Sequence, residues 1–184
     1  MKKLTSIKGI PLEYIQSILK IDANSPSGLT WLPRKNVRFN SYRANKAAGN
    51  MDTDNKGYQS WKISITYNGK EYKLKCSRII FLLHKGYLEK DDIIDHIDNN
   101  SLNNQIENLR ECTISQNNQN SKMPKNNTSG HKGVNWDKHS RKWRVRIKLL
   151  EKYHDFGIYF NLEDAIKVAI EARNKLHGEF GRDE

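Results

Sequence analysis

An aspartate and a histidine stand side by side at Asp95-His96, with asparagines following at 108 and 117, in the stretch 93–120. Residues of these types can carry out a hydrolysis. An imidazole titrates near neutral pH, so its neutral form can take a proton from water. A carboxylate and an amide oxygen suit a hard cation such as Mg²⁺, which keeps its other positions for water and phosphate. Phosphodiester hydrolysis asks for an activated water, a cation on the phosphate oxygens and stabilisation of the leaving oxygen. Two protein ligands are too few for a closed structural site, and catalysis needs that openness. The bland alternative is a chance Asp-His pair in an Asn-rich surface loop, and four positions in register argue against it.

The elements that must position these residues are short. Ile93-Ile94 is an apolar run that leads into the pair and reads as a strand. Asp98-Asn99-Asn100-Ser101 reads as a turn or loop start. Residues 109–113 read as a second strand, and Ser115 is a suitable N-cap for a helix carrying Asn117 and Asn120. The expected unit is strand, loop, strand, helix. Asp95 and His96 end the first strand, and Asn117 faces them from the helix.

Asp95-His96, then Glu107-Asn108-Leu109-Arg110, then Thr113-x-Ser115-x-Asn117-x-x-Asn120 resemble the HNH nuclease motif. The form is His-Asn-Asn, common among phage and intron-encoded homing endonucleases. The resemblance implies a ββα-metal finger. His96 would be the general base, Asp95 and Asn117 the ligands of one Mg²⁺ or Mn²⁺ per site, and Asn108 the residue pinning the loop and His96. It also implies double-stranded DNA as partner and a phage or mobile-element origin, with action in a bacterial cytoplasm. A monomer with one such site nicks one strand unless it dimerises; the sequence leaves the oligomeric state open. The alternative is a non-catalytic, sequence-specific DNA-binding regulator with a degenerate HNH unit. A protein acting on RNA is a further rival, against which the absence of an RNP-type aromatic motif weighs lightly.

Composition agrees with a polyanionic partner. The 184 residues carry a formal net charge of +11. Residues 1–120 hold 18 basic and 12 acidic side chains, and residues 121–184 hold 14 and 9, so both parts are basic. No apolar run is long enough to span a bilayer, and the N-terminal stretch has no continuous apolar segment of signal-peptide type. Cys76 and Cys112 are the only cysteines. They exclude a four-Cys zinc site, so no structural zinc is expected, and they suit a reducing compartment.

Along the chain, residues 11–20 read as a short amphipathic helix, 22–28 as a turn, and 29–33 as a strand in which Trp31 is core. Residues 34–57, with Arg34, Lys35, Arg38, Arg43 and Lys46, read as a long basic loop, either solvated or in contact with phosphates. Residues 58–76 alternate like a hairpin around Asn68-Gly69. Ser77 then caps a helix over 78–85 that stops at Gly86.

Residues 121–130 read as a linker and 131–184 as a second domain. Strands are expected at 133–136, 142–149 and 153–159, the last with Phe156 and Ile158 as its apolar positions. A helix over 162–176 follows, stopped by Gly178. Gly133-Val134, Lys142-Trp143, Gly157-x-Tyr159-Phe160 and Asp164-Ala165 leading to Ala172 resemble an AP2 domain. That resemblance implies a three-stranded antiparallel sheet, backed by one helix, that lies in the DNA major groove. Asn135-Trp136-Asp137 departs from the arginines usual there. Lys138, Arg141, Lys142, Arg144, Arg146 and Lys148 are the expected DNA contacts. The whole reads as an α+β chain, with a nuclease domain at 1–120 whose ββα-metal core is 93–120.

Overall fold

The structure, a computed structural model, describes residues 3–35, 37–89, 93–120, 123, 126–149 and 152–177. The chain divides into two compact units, Met1–Cys112 and Thr113–Glu184. The first unit opens with β1 (Lys3–Leu4), β2 (Ser6–Ile7), β3 (Ile10–Pro11), α1 (Leu12–Ile18), β4 (Leu19–Ile21), β5 (Leu29–Trp31) and α2 (Val37–Tyr42). It continues with β6 (Asn50–Thr53), β7 (Gln59–Tyr67), β8 (Lys70–Lys75), α3 (Cys76–Lys85), β9 (Leu88–Glu89) and β10 (Ile93–His96). A 3₁₀ turn (Ile106–Asn108) and β11 (Leu109–Cys112) close it. The second unit holds α4 (Ile114–Asn120), β12 (Val134–Asp137), β13 (Lys142–Leu149), β14 (Lys152–Tyr159) and α5 (Leu162–His177).

The core of the first unit forms around α3. Ile79, Ile80 and Leu82 are fully buried there, together with Ile15 of α1, Leu29 of β5 and Ile65 of β7. Burial of each such side chain contributes roughly 1.5–3 kcal/mol. The hairpin that feeds α3 follows from its turn. Asn68 and Gly69 both take positive φ, 49° and 74°, as a two-residue turn matching strand twist requires. At the other end, Gly86 has φ 81° and its N–H donates to the Leu82 carbonyl, which stops the helix as expected.

Four sequence expectations are corrected in this unit. Ser77 does not cap α3: the helix begins at Cys76, and its N-cap Lys75 is the extended last residue of β8 and makes no side-chain cap bond. The first helix stops at Ile18, because Leu19 turns into β4 and pairs with Trp31. Residues 34–57 are not one long loop, since they contain α2, and β6 pairs with β7. Arg34 and Arg43 stack on the ring of the buried Trp31, at 5.1 and 5.8 Å from its centroid, so part of that basic segment serves packing.

In the second unit, β12, β13 and β14 form an antiparallel sheet in that order. Val134 and Val145 pack with Ala165 and Ala169 of α5. Between Val145 and Arg146 the pairing with β14 shifts register: Val145 faces Gly157 and Arg146 faces Asp155. Phe156 is thereby the extra residue of a bulge, and beyond it the side-chain parity reverses. Hence Phe156 packs on the core while Ile158, opposite Arg144, is 44% exposed. Gly178 and part of the linker, residues 121–122 and 124–125, lie outside the described residues. Among the described residues no helix is long and apolar enough to cross a membrane.

Candidate active site

β10 and β11 form a two-stranded antiparallel ribbon, with Asp95 opposite Arg110 and His96 opposite Leu109. The pairing explains the state of Asp95. Its carboxylate is buried, and Arg110 Nε lies 3.2 Å from Oδ2 across the ladder. A carboxylate at that depth needs such a partner, because an unpaired buried charge is costly. Arg110 stands in the sequence motif without a role, and this pairing supplies one. The signal for it was the register itself, since pairing 96 with 109 puts 95 against 110.

The loop after His96 is tied by Asn108. Its backbone carbonyl accepts from Ile97 N at 2.9 Å, and its Oδ1 accepts from Asp98 N at 3.0 Å. Its Nδ2 donates to Asp98 Oδ1 at 2.9 Å and to the Asn103 carbonyl at 2.8 Å. One residue, through its backbone carbonyl and its side-chain amide, thus joins the end of β10, the loop and the 3₁₀ turn. Asn99 turns the chain with φ 58°, a conformation that asparagine tolerates, and donates its N–H to the His96 carbonyl.

Asp98 is the hub of this loop. Burial works against its charge, but the Asn103 side chain, the Asn100 N–H, the Asn108 amide and the charge of His96 together hold its carboxyl below the usual range. A depressed carboxyl stabilises the folded loop fully above its unfolded pKa. That stabilisation is lost as pH falls through the folded value. Thermal melts of wild type and Asp98→Asn, taken from neutral pH down through the carboxylate range, should therefore converge in acid. Wild type should lose more of its melting temperature than the variant over that range; parallel curves would remove Asp98 from the loop's support.

The ring of His96 meets a side chain the sequence did not single out. His96 Nε2 lies 3.0 Å from Asn104 Oδ1, and Asn104 Nδ2 donates to the Ser27 carbonyl at 2.9 Å. No local pattern marks Asn104 within its Asn-rich tract, and its anchor lies 77 positions away.

Asn117 lies on α4, in the second unit. The cap of that helix is corrected. Thr113, not Ser115, begins it: Thr113 Oγ1 accepts from Gln116 N at 3.3 Å, while Gln116 Oε1 accepts from Thr113 N at 2.8 Å. That reciprocal pair is a capping box. Among the described residues, no cluster of three or more His, Cys, Asp or Glu stands ready for a metal.

Basic surfaces occur on both units. On the first, Lys8, Lys62, Lys73, Lys75 and Arg78 line a cleft of about 560 Å³ with Ile7 and Leu74. On the second, Lys142, Arg144, Arg146 and Lys148 alternate along β13, but this face is not purely cationic. Asp155 of β14 pairs with Arg144, and that contact holds the Asp155 carboxyl below its usual range. Exposed aromatic rings are interleaved with the cations: Lys142 lies 3.8 Å from the centre of Phe160, and Arg146 4.9 Å from that of Tyr153. Lys138 is exposed in the turn before β13, and Arg141 closes that turn with φ 52°.

The ribbon, its Asp-His pair and the amide-tied loop define a domain of HNH nuclease type: residues 75–119 match the family model described as HNH endonuclease. At family level that marks a nuclease-type domain acting on DNA. The chain belongs to the same family as Protein 3.8 of Escherichia phage T7, to which it is 39% identical over 97 residues, 53% of this chain and 79% of that protein. No solved structure matches.

Proposed function

We propose that the chain is a metal-dependent DNA endonuclease of the homing type, hydrolysing a phosphodiester with His96 as general base. One observation carries the reading: His96 closes a ribbon that holds the buried, ion-paired Asp95, and Asn108 ties down the loop directly behind it. The donor chemistry fits a hard cation. Asp95 offers a carboxylate and Asn117 an amide oxygen, and these two would hold Mg²⁺ or Mn²⁺. Such an ion would supply charge stabilisation to the phosphate oxygens. Arg110 already pairs with Asp95 Oδ2, so a cation held there would share the carboxylate with it. His96 takes the proton of the attacking water, and Asn108 keeps the strand end and loop in register for it.

The second unit supplies the grip on duplex DNA, as an AP2-like sheet with one helix behind it. Cations interleaved with exposed Tyr153 and Phe160 suit phosphates together with sugar or base faces. Arg146→Ala and Lys148→Ala together should weaken duplex binding and make the log–log salt dependence shallower, by about 0.9 for each phosphate that is no longer neutralised. The chemistry should stay intact. Salt titrations of wild type and the double variant measure this, and equal slopes would remove the sheet from the interface. The substrate class is tested by offering duplex DNA and duplex RNA of one sequence with Mg²⁺. Cleavage of DNA alone is expected, and preferential cleavage of RNA would overturn the reading.

A further inference from the structure

We propose that Asn104 is a positioning residue for His96, fixing from the 22–29 turn which ring nitrogen carries the proton; this rests on the reading of His96 as the base. The inference follows from one acceptor. The Ser27 carbonyl can only accept, so the Asn104 group facing it at 2.9 Å must be the NH₂. Asn104 Oδ1 is then the atom that faces the imidazole, 3.0 Å from Nε2. A side-chain carbonyl oxygen also only accepts, so Nε2 must bear hydrogen whether the ring is neutral or charged. In the neutral ring the lone pair is therefore on Nδ1, and Nδ1 takes the proton of water. A ring turned over by half a revolution would present the wrong nitrogen to the water and lose the bond to Asn104.

The anchor is rigid. Asn104 is 6% exposed and Ser27 fully buried. Ser27 Oγ donates to the Ala48 carbonyl at 2.5 Å, which ties its turn into the core. Gly28, at φ +80°, leaves no room beside it: an added Cβ would lie 3.3 Å from Asn104 Cβ and 2.6 Å from Ile80 Cδ1. A second bond joins the same two segments, from Gln105 Nε2 to the Ala23 carbonyl at 3.2 Å. The orientation of the base thus depends on residues 22–29, which lie outside the 75–119 segment that matches the nuclease family. Placing the base through a distant turn couples its competence to complete folding of the first unit.

The test uses full-length protein with ¹⁵N-labelled histidine, without metal, and the His96 ring signal assigned by its loss in His96→Gln. Wild type should show a ring proton on Nε2 that exchanges slowly with water, and Asn104→Ala should lose that protection. In the same variant kcat for plasmid nicking should fall at least about tenfold and by no more than the roughly 10²–10⁴-fold that a general base contributes. KM should stay within about twofold, because uniform binding is untouched. Asn104→Asp keeps an oxygen toward the ring but cannot donate to the Ser27 carbonyl, so it should recover the protected proton only in part. Thr30→Ala is the control for general weakening: it removes the 2.7 Å bond from Thr30 Oγ1 of β5 to Asp22 Oδ2 at the start of the turn. It should lower the melting temperature and keep the ring proton. A ring proton on Nδ1 in wild type, or full protection and full kcat in folded Asn104→Ala, would overturn the proposal. If wild type nicks no DNA, the function reading fails, and the ring-proton measurement still decides the role of Asn104.

Discussion

Replacing His96 by alanine should lower the single-turnover rate of DNA nicking by roughly 10²–10⁴-fold, or about 3–5 kcal/mol of transition-state stabilisation. Affinity for uncut duplex should hardly change, because a general base acts in the transition state and adds little to ground-state binding. The fold should survive. His96 is the last residue of β10, partly exposed, and the ladder bonds around it are made by backbone. The variant also leaves the Asp95–Arg110 pair and the Asn108 bonds in place. Rapid-mixing cleavage under saturating protein, alongside an equilibrium binding curve, separates the two effects. Undiminished cleavage by the purified variant would remove His96 from the mechanism.

Asp95→Ala should show a loss in two measurements at once. Metal-supported turnover should collapse, because on the proposed reading this carboxylate would hold the cation, and several kcal/mol of charge stabilisation would go with it. The fold should weaken too. The Asp95 and Arg110 side chains are only 9% and 15% exposed, and breaking a pair so buried costs up to about 3–5 kcal/mol. Asp95→Asn separates the two losses. It keeps the shape and an acceptor for Arg110 but has no charge for the cation, so it should melt nearer to wild type and still fail to turn over at ordinary Mg²⁺. Asn117→Ala should lower turnover without the loss of stability, since its proposed role is toward the cation alone. Melting curves and Mg²⁺ titrations of cleavage measure both, and wild-type Mg²⁺ dependence in Asp95→Asn would displace the cation from this carboxylate.

Local chemistry makes much of this legible in the sequence. Asn68-Gly69 specifies the hairpin because both residues accept positive φ. Gly86 specifies the end of α3, and alternation specifies β13 with Val145 and Ile147 inward. The spacing of Asp95-His96 and Asn108 places the ribbon and its loop, because two short strands and one amide bracket the same turn. What stays hidden depends on partners far along the chain or across a ladder. Asp155 reaches Arg144 only because of the register on β14, and Ile158 faces outward only because the bulge reverses parity. The bond from Asn104 to Ser27 has no signature in either segment alone. Residues 34–57 read as loop because short polar elements such as α2 and β6 carry little apolar periodicity.

If a cation and His96 together cut DNA in this chain, activity must follow the cation. The most direct test adds Mg²⁺ back to full-length protein stripped with EDTA, on supercoiled plasmid. Relaxed circles should accumulate in proportion to added Mg²⁺, and none should form while EDTA is in excess. Nicking that persists in excess EDTA would contradict the account.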